Sequence, residues 1–255
     1  MENISKNLRG FRFLIAISLI SIIGVFSMQA IPQDLAYHVF SDTQSLFGIS
    51  NVYNVLSNLP FLIIGLMGLY ALFSKQIRCA DEFRVAYIIL FSGVTLVSVG
   101  SGYYHLAPNN HTLVWDRLPM TIAFMSLFAI IVSEFISLRL AKILLYPFII
   151  MGIASVYYWQ LTESAGQGDL RLYVLVQFLP ILLIPIIFYN FKSRYTDIKG
   201  YWWLLAAYAA AKLLEHFDAQ IHLFTGFISG HSLKHIAAAA GMYMLIIYYR
   251  KRQHS

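Results

Sequence analysis

The 255-residue chain is 59% hydrophobic and only 12% charged, whereas an ordinary soluble domain carries roughly 25% charged residues. Composition therefore excludes a water-soluble globular domain. The formal net charge of +6 does not argue for a nucleic-acid partner, because in a membrane protein the information lies in where each basic residue sits.

Apolar runs recur along the whole chain, most of them near the ~20 residues that a helix rising 1.5 Å per residue needs to cross a ~30 Å hydrocarbon core. Eight fall at about 11 to 30, 52 to 74, 85 to 107, 117 to 138, 140 to 160, 171 to 191, 201 to 223 and 231 to 249. The first is long for a signal peptide, and no small-residue cleavage signal follows Met28, so it reads as a helix that stays. No linker, charge block or strong internal repeat divides the chain. The expected fold is an all-α polytopic transmembrane bundle forming a single integral membrane domain over 1–255. It comprises an N-terminal helix over 10–30 and seven further helices over 51–249, eight spans in all.

Basic residues order these spans. With eight of them, 14 of the 18 Lys and Arg residues fall on one side. Lys6, Arg9 and Arg12 open the first helix, and Lys75, Arg78 and Arg84 fill the second loop. Arg139 and Lys142 mark the fourth loop, Lys192, Arg194 and Lys199 the sixth, and Arg250, Lys251 and Arg252 the tail. The positive-inside rule then makes both termini cytoplasmic.

The segment 31 to 51 is the longest non-cytoplasmic connection, with Pro32, Asp34, His38, Asp42 and Gly48 among apolar residues, and it reads as a short amphipathic helix or lid over the outer mouth. NVYNVLSNLP follows. Asn54 and Asn58 lie four apart on one helical face, either bonding between helices or supporting a polar site. The single Cys79 excludes an intramolecular disulfide framework.

Ionisable groups within a bilayer are costly, so those near spans mark functional candidates. SGYYH ends the third run, and its i, i+4 spacing aims Ser101 and His105 at one cavity. WDRLPM opens the fourth run, with Asp116 as an N-cap or first-turn carboxylate. HSLKH opens the last run, and His231 and His235 again share a face. The eight-span topology brings all of these to the outer helix ends. Three imidazoles with an open fourth position resemble a catalytic zinc site in which a bound water has a pKa near 7. Such a donor set favours zinc over calcium or magnesium, which prefer oxygen. Asp116 can accept a proton, or simply cap its helix; Ser101 can donate to a developing oxyanion, or to its own helix's carbonyls. A bis-His haem is disfavoured, because two His one turn apart on one helix do not face each other across a porphyrin.

SxxxH, a DxLPM helix opening eleven residues after that His, and a late HxxxH together resemble the alkaline ceramidases, within the superfamily of seven-helix membrane hydrolases that includes adiponectin-receptor-like proteins. The likeness extends to YNVLSNLP and covers most of 40–249. It implies that His105, His231 and His235 bind zinc, that Asp116 and Ser101 assist a metal-bound water, and that the amide of a sphingoid lipid is cleaved to a fatty acid and a long-chain base. The family core has seven helices, so the first helix here would be an addition. Asn51 stands where a calcium-binding carboxylate would be expected in eukaryotic members.

In KLLEHFDAQIH, the residues Glu215, Asp218 and His222 share a face near Lys212. They form a buried ion pair, a lipid-headgroup site or a second shell to the zinc ligands. Tyr103, Tyr104, Trp115, Tyr157, Tyr158 and Trp159 read as interfacial belts. The leading function is thus a zinc-dependent amide hydrolase acting on ceramide or another N-acyl membrane lipid, with no nucleic acid and no obligate protein partner. The alternative is a receptor or transporter with a structural zinc site.

Overall fold

A computed structural model describes residues 2–254; Met1 and Ser255, the ends of the expected 1–255 domain, lie outside the described residues. The described chain is all helical, with no strand. Ten α-helices follow one another: α1 (Glu2–Ser27), α2 (Val52–Leu56), α3 (Leu59–Phe73), α4 (Arg84–Leu106), α5 (Asn110–Phe135), α6 (Leu138–Ser164), α7 (Arg171–Asn190), α8 (Lys199–His216), α9 (Asp218–Thr225) and α10 (Gly230–Lys251). Six spans are long and apolar enough to cross a membrane: Asn7–Ser27, Val52–Phe73, Asp81–Leu106, Asn110–Phe135, Leu138–Ser164 and Arg171–Asn190. The chain is therefore an integral membrane protein by length and composition. Helices α8 and α10 fall short of that standard. The first carries Lys199, Lys212 and Glu215, and the second Lys234, Arg250 and Lys251 beside two histidines, so the two remaining expected spans are the least apolar ones.

Several expected boundaries move for local reasons. The 52 to 74 run is interrupted at Ser57 and Asn58, because Pro60 sits at the start of α3 and lacks the N–H that would continue α2. The 201 to 223 run breaks at Phe217, separating α8 from α9. Helix α5 begins at Asn110, seven residues before the expected start. Asn109 and Thr112 form a reciprocal capping box there, so Asp116 is not an N-cap but a residue of the second turn.

Core packing centres on α4 and α5, where Phe91, Leu90, Ala129, Ile130 and Ile131 are fully buried. A second cluster contains Phe40, Tyr104, Leu113, Val156, Trp159 and Tyr173. Tyr104 and Trp159 are consequently core residues, not belt residues, whereas Tyr103, Trp115, Tyr157 and Tyr158 are exposed as an interfacial belt requires. Helix α1 is peripheral. It leans on α7 through Phe11 and Phe191, whose rings meet edge to face at 5.1 Å, and otherwise presents Ile15, Leu19, Ile20 and Ile23 outward.

At the other end of the bundle, buried Arg252 donates from Nη1 to Glu134 Oε1 (2.7 Å) and from Nη2 to the Arg78 carbonyl (2.5 Å). Tyr201 also donates to Glu134 (2.8 Å). This network ties the end of α10 to α5 and α8. In the loop before α7, Arg171 grips both carboxylate oxygens of Asp169 and donates to the Met28 carbonyl. Those hydrogen bonds hold the Asp169 carboxyl at about 2.

Candidate metal centre

Two close backbone approaches build the site. A Cβ on Gly100 would meet the Trp115 carbonyl oxygen at 2.0 Å, so only glycine lets α4 lie against α5 where Ser101 and Asp116 face each other. A Cβ on Gly230 would meet the Leu214 carbonyl oxygen at 2.1 Å. Glycine there lets the start of α10 sit against α8 and α9.

The structure brings His105 from the end of α4 together with His231 and His235 from the first turns of α10. All three are buried, and one ligand nitrogen from each lies within 4.8 Å of the others. Their ring centroids are 4.9 to 5.1 Å apart. His105 Nε2 and His231 Nε2 are separated by 3.3 Å. A tetrahedral ion with Zn–N of about 2.0–2.1 Å holds its ligands about 3.3–3.4 Å apart, so the spacing fits that ion. Donor chemistry agrees, since inward-facing lone pairs of buried imidazoles repel unless a cation or a proton lies between them.

Surrounding hydrogen bonds orient these rings. Ser57 Oγ donates to the Asn54 carbonyl (3.0 Å) and lies 2.8 Å from His235 Nδ1. His235 Nδ1 is therefore the protonated nitrogen, and Nε2 is left to face the cluster. Asn51, in the left-handed region at φ 49°, donates from Nδ2 to the His105 carbonyl (2.8 Å), fixing the end of α4. Buried Asn54 Oδ1 accepts from Ser232 (2.7 Å) on α10. Asn51 and Asn54 thus bond between helices that carry the site, whereas Asn58 donates to the Asn54 carbonyl within its own segment (2.8 Å). His105 Nδ1 is buried without a partner.

Asp218 accepts the His231 N–H at Oδ1 (2.6 Å) and the Ser41 N–H at Oδ2 (3.1 Å), while Ser41 Oγ lies 2.9 Å from His222 Nδ1. Asp218 and His222 thus hold the start of α10 and the loop that contains Ser41. Glu215 is shared by Lys212 (2.7 Å) and Lys234. Sequence reasoning identified Lys212 and Glu215 but not Lys234 as their partner, because only the packing of α8 on α10 joins them. The 31–51 segment forms a single 3₁₀ turn, Leu35–His38, and closes over the histidines. Phe40 stacks edgewise on His105 (4.7 Å) and His231 (4.5 Å), and His38 bonds Tyr104 and Asn110.

Ser101, Asp116 and His235 line one end of a cavity of about 470 Å³. Ser101 and Asp116 are both on this wall, and the Asp116 carboxylate is not among the three clustered ligands. From there the cavity runs between the helices past Val94, Leu127, Ile131 and Ile184 to Tyr201 and Met242. From Asp116 to Ile131 is 15 residues of α5, which spans about 22 Å at the helical rise. The cavity is thus long, apolar and polar at one end, which is the shape of a site for an amphiphile.

A helical membrane protein with a buried three-histidine cluster at the head of a lipid-sized cavity is the class that fold and site define. Within it, the chain belongs to the ceramidase family, whose model, described as Ceramidase, matches residues 46–254. That membership supports a hydrolase with a lipid substrate such as ceramide. The match leaves α1 outside it. No curated protein matches the chain.

Proposed function

We propose that this protein is a zinc-dependent, membrane-embedded amidohydrolase that cleaves the N-acyl amide of ceramide or a related lipid to a fatty acid and a long-chain base. The observation that carries the reading is a three-histidine cluster that reaches, through His235, the polar end of a long apolar cavity also lined by Ser101 and Asp116. His105, His231 and His235 hold the metal. Zinc bound there supplies Lewis acidity toward the amide carbonyl and lowers the pKa of water to about 7.

The protein's own groups move the protons. Asp116 takes a proton from the attacking water as the new O–C bond forms, then passes it to the amine nitrogen as the C–N bond breaks. Products are a carboxylic acid and a free amine. Ser101, on the same cavity wall as Asp116, donates its hydroxyl hydrogen to the oxyanion that develops on the former carbonyl. Lys212 and Glu215 support the site from the cavity wall, and Asp218 and His222 from behind the histidines. Asp218 bonds the His231 backbone, and Glu215 neutralises the two lysines.

The catalytic core is 51–249, and α1 is an added helix, a reading supported by its peripheral packing and by the family match beginning at residue 46. Both termini are cytoplasmic, with the histidines toward the other face. Incubating purified protein with a panel of ceramides and other N-acyl lipids should release fatty acid detectable by mass spectrometry. Tight metal binding without turnover of any member of the panel would favour a receptor or transporter.

A further inference from the structure

Arg117 follows Asp116 on α5 and is only 6% exposed. Its guanidinium carbon lies 4.2 Å from the ring centroid of Trp159, 4.6 Å from that of Tyr173 and 5.9 Å from that of Tyr37. Nη2 donates to Gln33 Oε1 at 2.6 Å. Nη1 is buried and has no hydrogen-bond partner.

This is an unusual setting for a buried cation in this molecule. Arg252 is paired with Glu134, and Arg171 with Asp169; among the described residues, Arg117 forms no ion pair. Aromatic faces stabilise a guanidinium from above and below, but they satisfy none of the N–H donors in its plane. Gln33 is neutral and occupies one of them. A buried charge left without an opposite charge, with an open donor, is strongly destabilising.

Arg117, Gln33, Tyr37 and Tyr173 line the same cavity as Ser101 and Asp116. The other charged groups on that wall are Asp34, Asp116, Glu215, Lys212 and Lys234. Glu215 is paired with both lysines, and Asp34 accepts the Ala36 backbone N–H. Among the described residues, Arg117 is therefore the cation of this cavity that has no ion-pair partner and keeps a buried donor open. The planar fork of arginine matches carboxylate and phosphate oxygens.

We infer that Arg117 binds an oxyanion, carboxylate or phosphate, in the headgroup of the lipid that occupies this cavity, with the lipid's chain lying along the apolar wall toward Met242. The role of that lipid as a substrate rests on the hydrolase reading; its binding does not. The three aromatic residues and Gln33 hold the guanidinium in place, so the site is preorganised for a negatively charged headgroup over the neutral diol of ceramide.

The test is a binding comparison on the full-length protein in neutral detergent, using His231→Ala so that turnover does not consume the probe. N-hexadecanoylglycine tests the carboxylate, a ceramide 1-phosphate the phosphate, and N-hexadecanoylethanolamine supplies a neutral control with the same acyl amide. Binding is read by ligand-induced thermal stabilisation. At least one anionic lipid should bind about tenfold or more tighter than the neutral one, as expected for a charge-assisted hydrogen bond, and which one does so identifies the source of the oxyanion. Arg117→Gln should remove that preference while leaving the neutral lipid's affinity within about twofold, and Arg117→Lys should retain part of it. Equal affinity for all three lipids in the parent protein overturns the inference without any change at Arg117. Equal weakening of neutral and anionic lipids by Arg117→Gln overturns it too, since that marks a purely structural residue. An anionic preference that holds while the unsubstituted, zinc-loaded protein hydrolyses none of these lipids would reject the hydrolase reading while the Arg117 assignment stood.

Discussion

Ser57 Oγ lies 2.8 Å from His235 Nδ1 and donates its own hydrogen bond to the Asn54 carbonyl, so a residue between two helical segments orients a distant histidine with Nε2 toward the three-histidine cluster. Outer partners of this kind typically contribute 10- to 100-fold to metal affinity. Ser57→Ala should therefore weaken zinc binding by about tenfold or more with the fold intact. Competition against a chromophoric chelator measures this directly, and an unchanged affinity would remove Ser57 from the site.

The three-histidine cluster predicts metal content as well as affinity. Purified protein should carry about one zinc per chain, and His231→Ala should lose most of it because the remaining pair offers only two nitrogens. Elemental analysis of both preparations is decisive. Full occupancy in the variant would transfer the metal to other ligands.

Topology follows from the basic residues. Reporter fusions after Arg78, Lys142, Thr196 and Arg252 should all read cytoplasmic, given the 14 basic residues expected on that side. An external signal at two of them would break the eight-span arrangement. The fusions bear most on α8 and α10, whose charged residues leave them outside the six clearly apolar spans.

Much of the site was legible in the sequence, and the reason is geometric. His231 with His235, and Ser101 with His105, are each one helical turn apart, so a helix places them on one face whatever the packing. The distance between the two pairs is a matter of packing, set at Gly100 and Gly230, where a Cβ would strike a neighbouring carbonyl oxygen. Sequence periodicity does not encode such contacts. The roles of Ser57 and Phe40 were hidden for the same reason, since neither belongs to a motif and each acts on residues far away in the chain. Helix α5 starts earlier than its apolar run because the Asn109 and Thr112 cap outweighs the polar residues that follow. That signal was present in the sequence, as Asn at the cap and Thr three residues on.

Asp169 gives a pH-dependent prediction. Arg171 holds its carboxyl at about 2, below the ordinary 3.8, so the pair stabilises the fold above the ordinary value. The contribution should fade as pH drops from about 4 toward 2, where Asp169 is protonated in both states. Asp169→Asn should lower the melting temperature at pH 7, and the gap between variant and parent should narrow as the pH approaches 3. A gap independent of pH would show that the aspartate acts through shape or neutral hydrogen bonds alone.

The roles within the site separate by kinetics. If Asp116 handles the proton of the attacking water, Asp116→Asn keeps the size of the side chain and, since Asp116 is outside the clustered ligands, most of the zinc. Turnover should nevertheless fall by about 10²- to 10⁴-fold, the usual worth of general acid-base assistance. Ser101→Ala should lower kcat with little change in KM, because a donor to the oxyanion acts mainly in the transition state. Metal content and turnover must be read on the same preparation. Loss of zinc from Asp116→Asn would assign the carboxylate to ligation or folding, and near-normal turnover would reject the proton-transfer role. A raised KM in Ser101→Ala at unchanged kcat would move Ser101 from the oxyanion to ground-state binding, since only interactions that strengthen in the transition state change kcat.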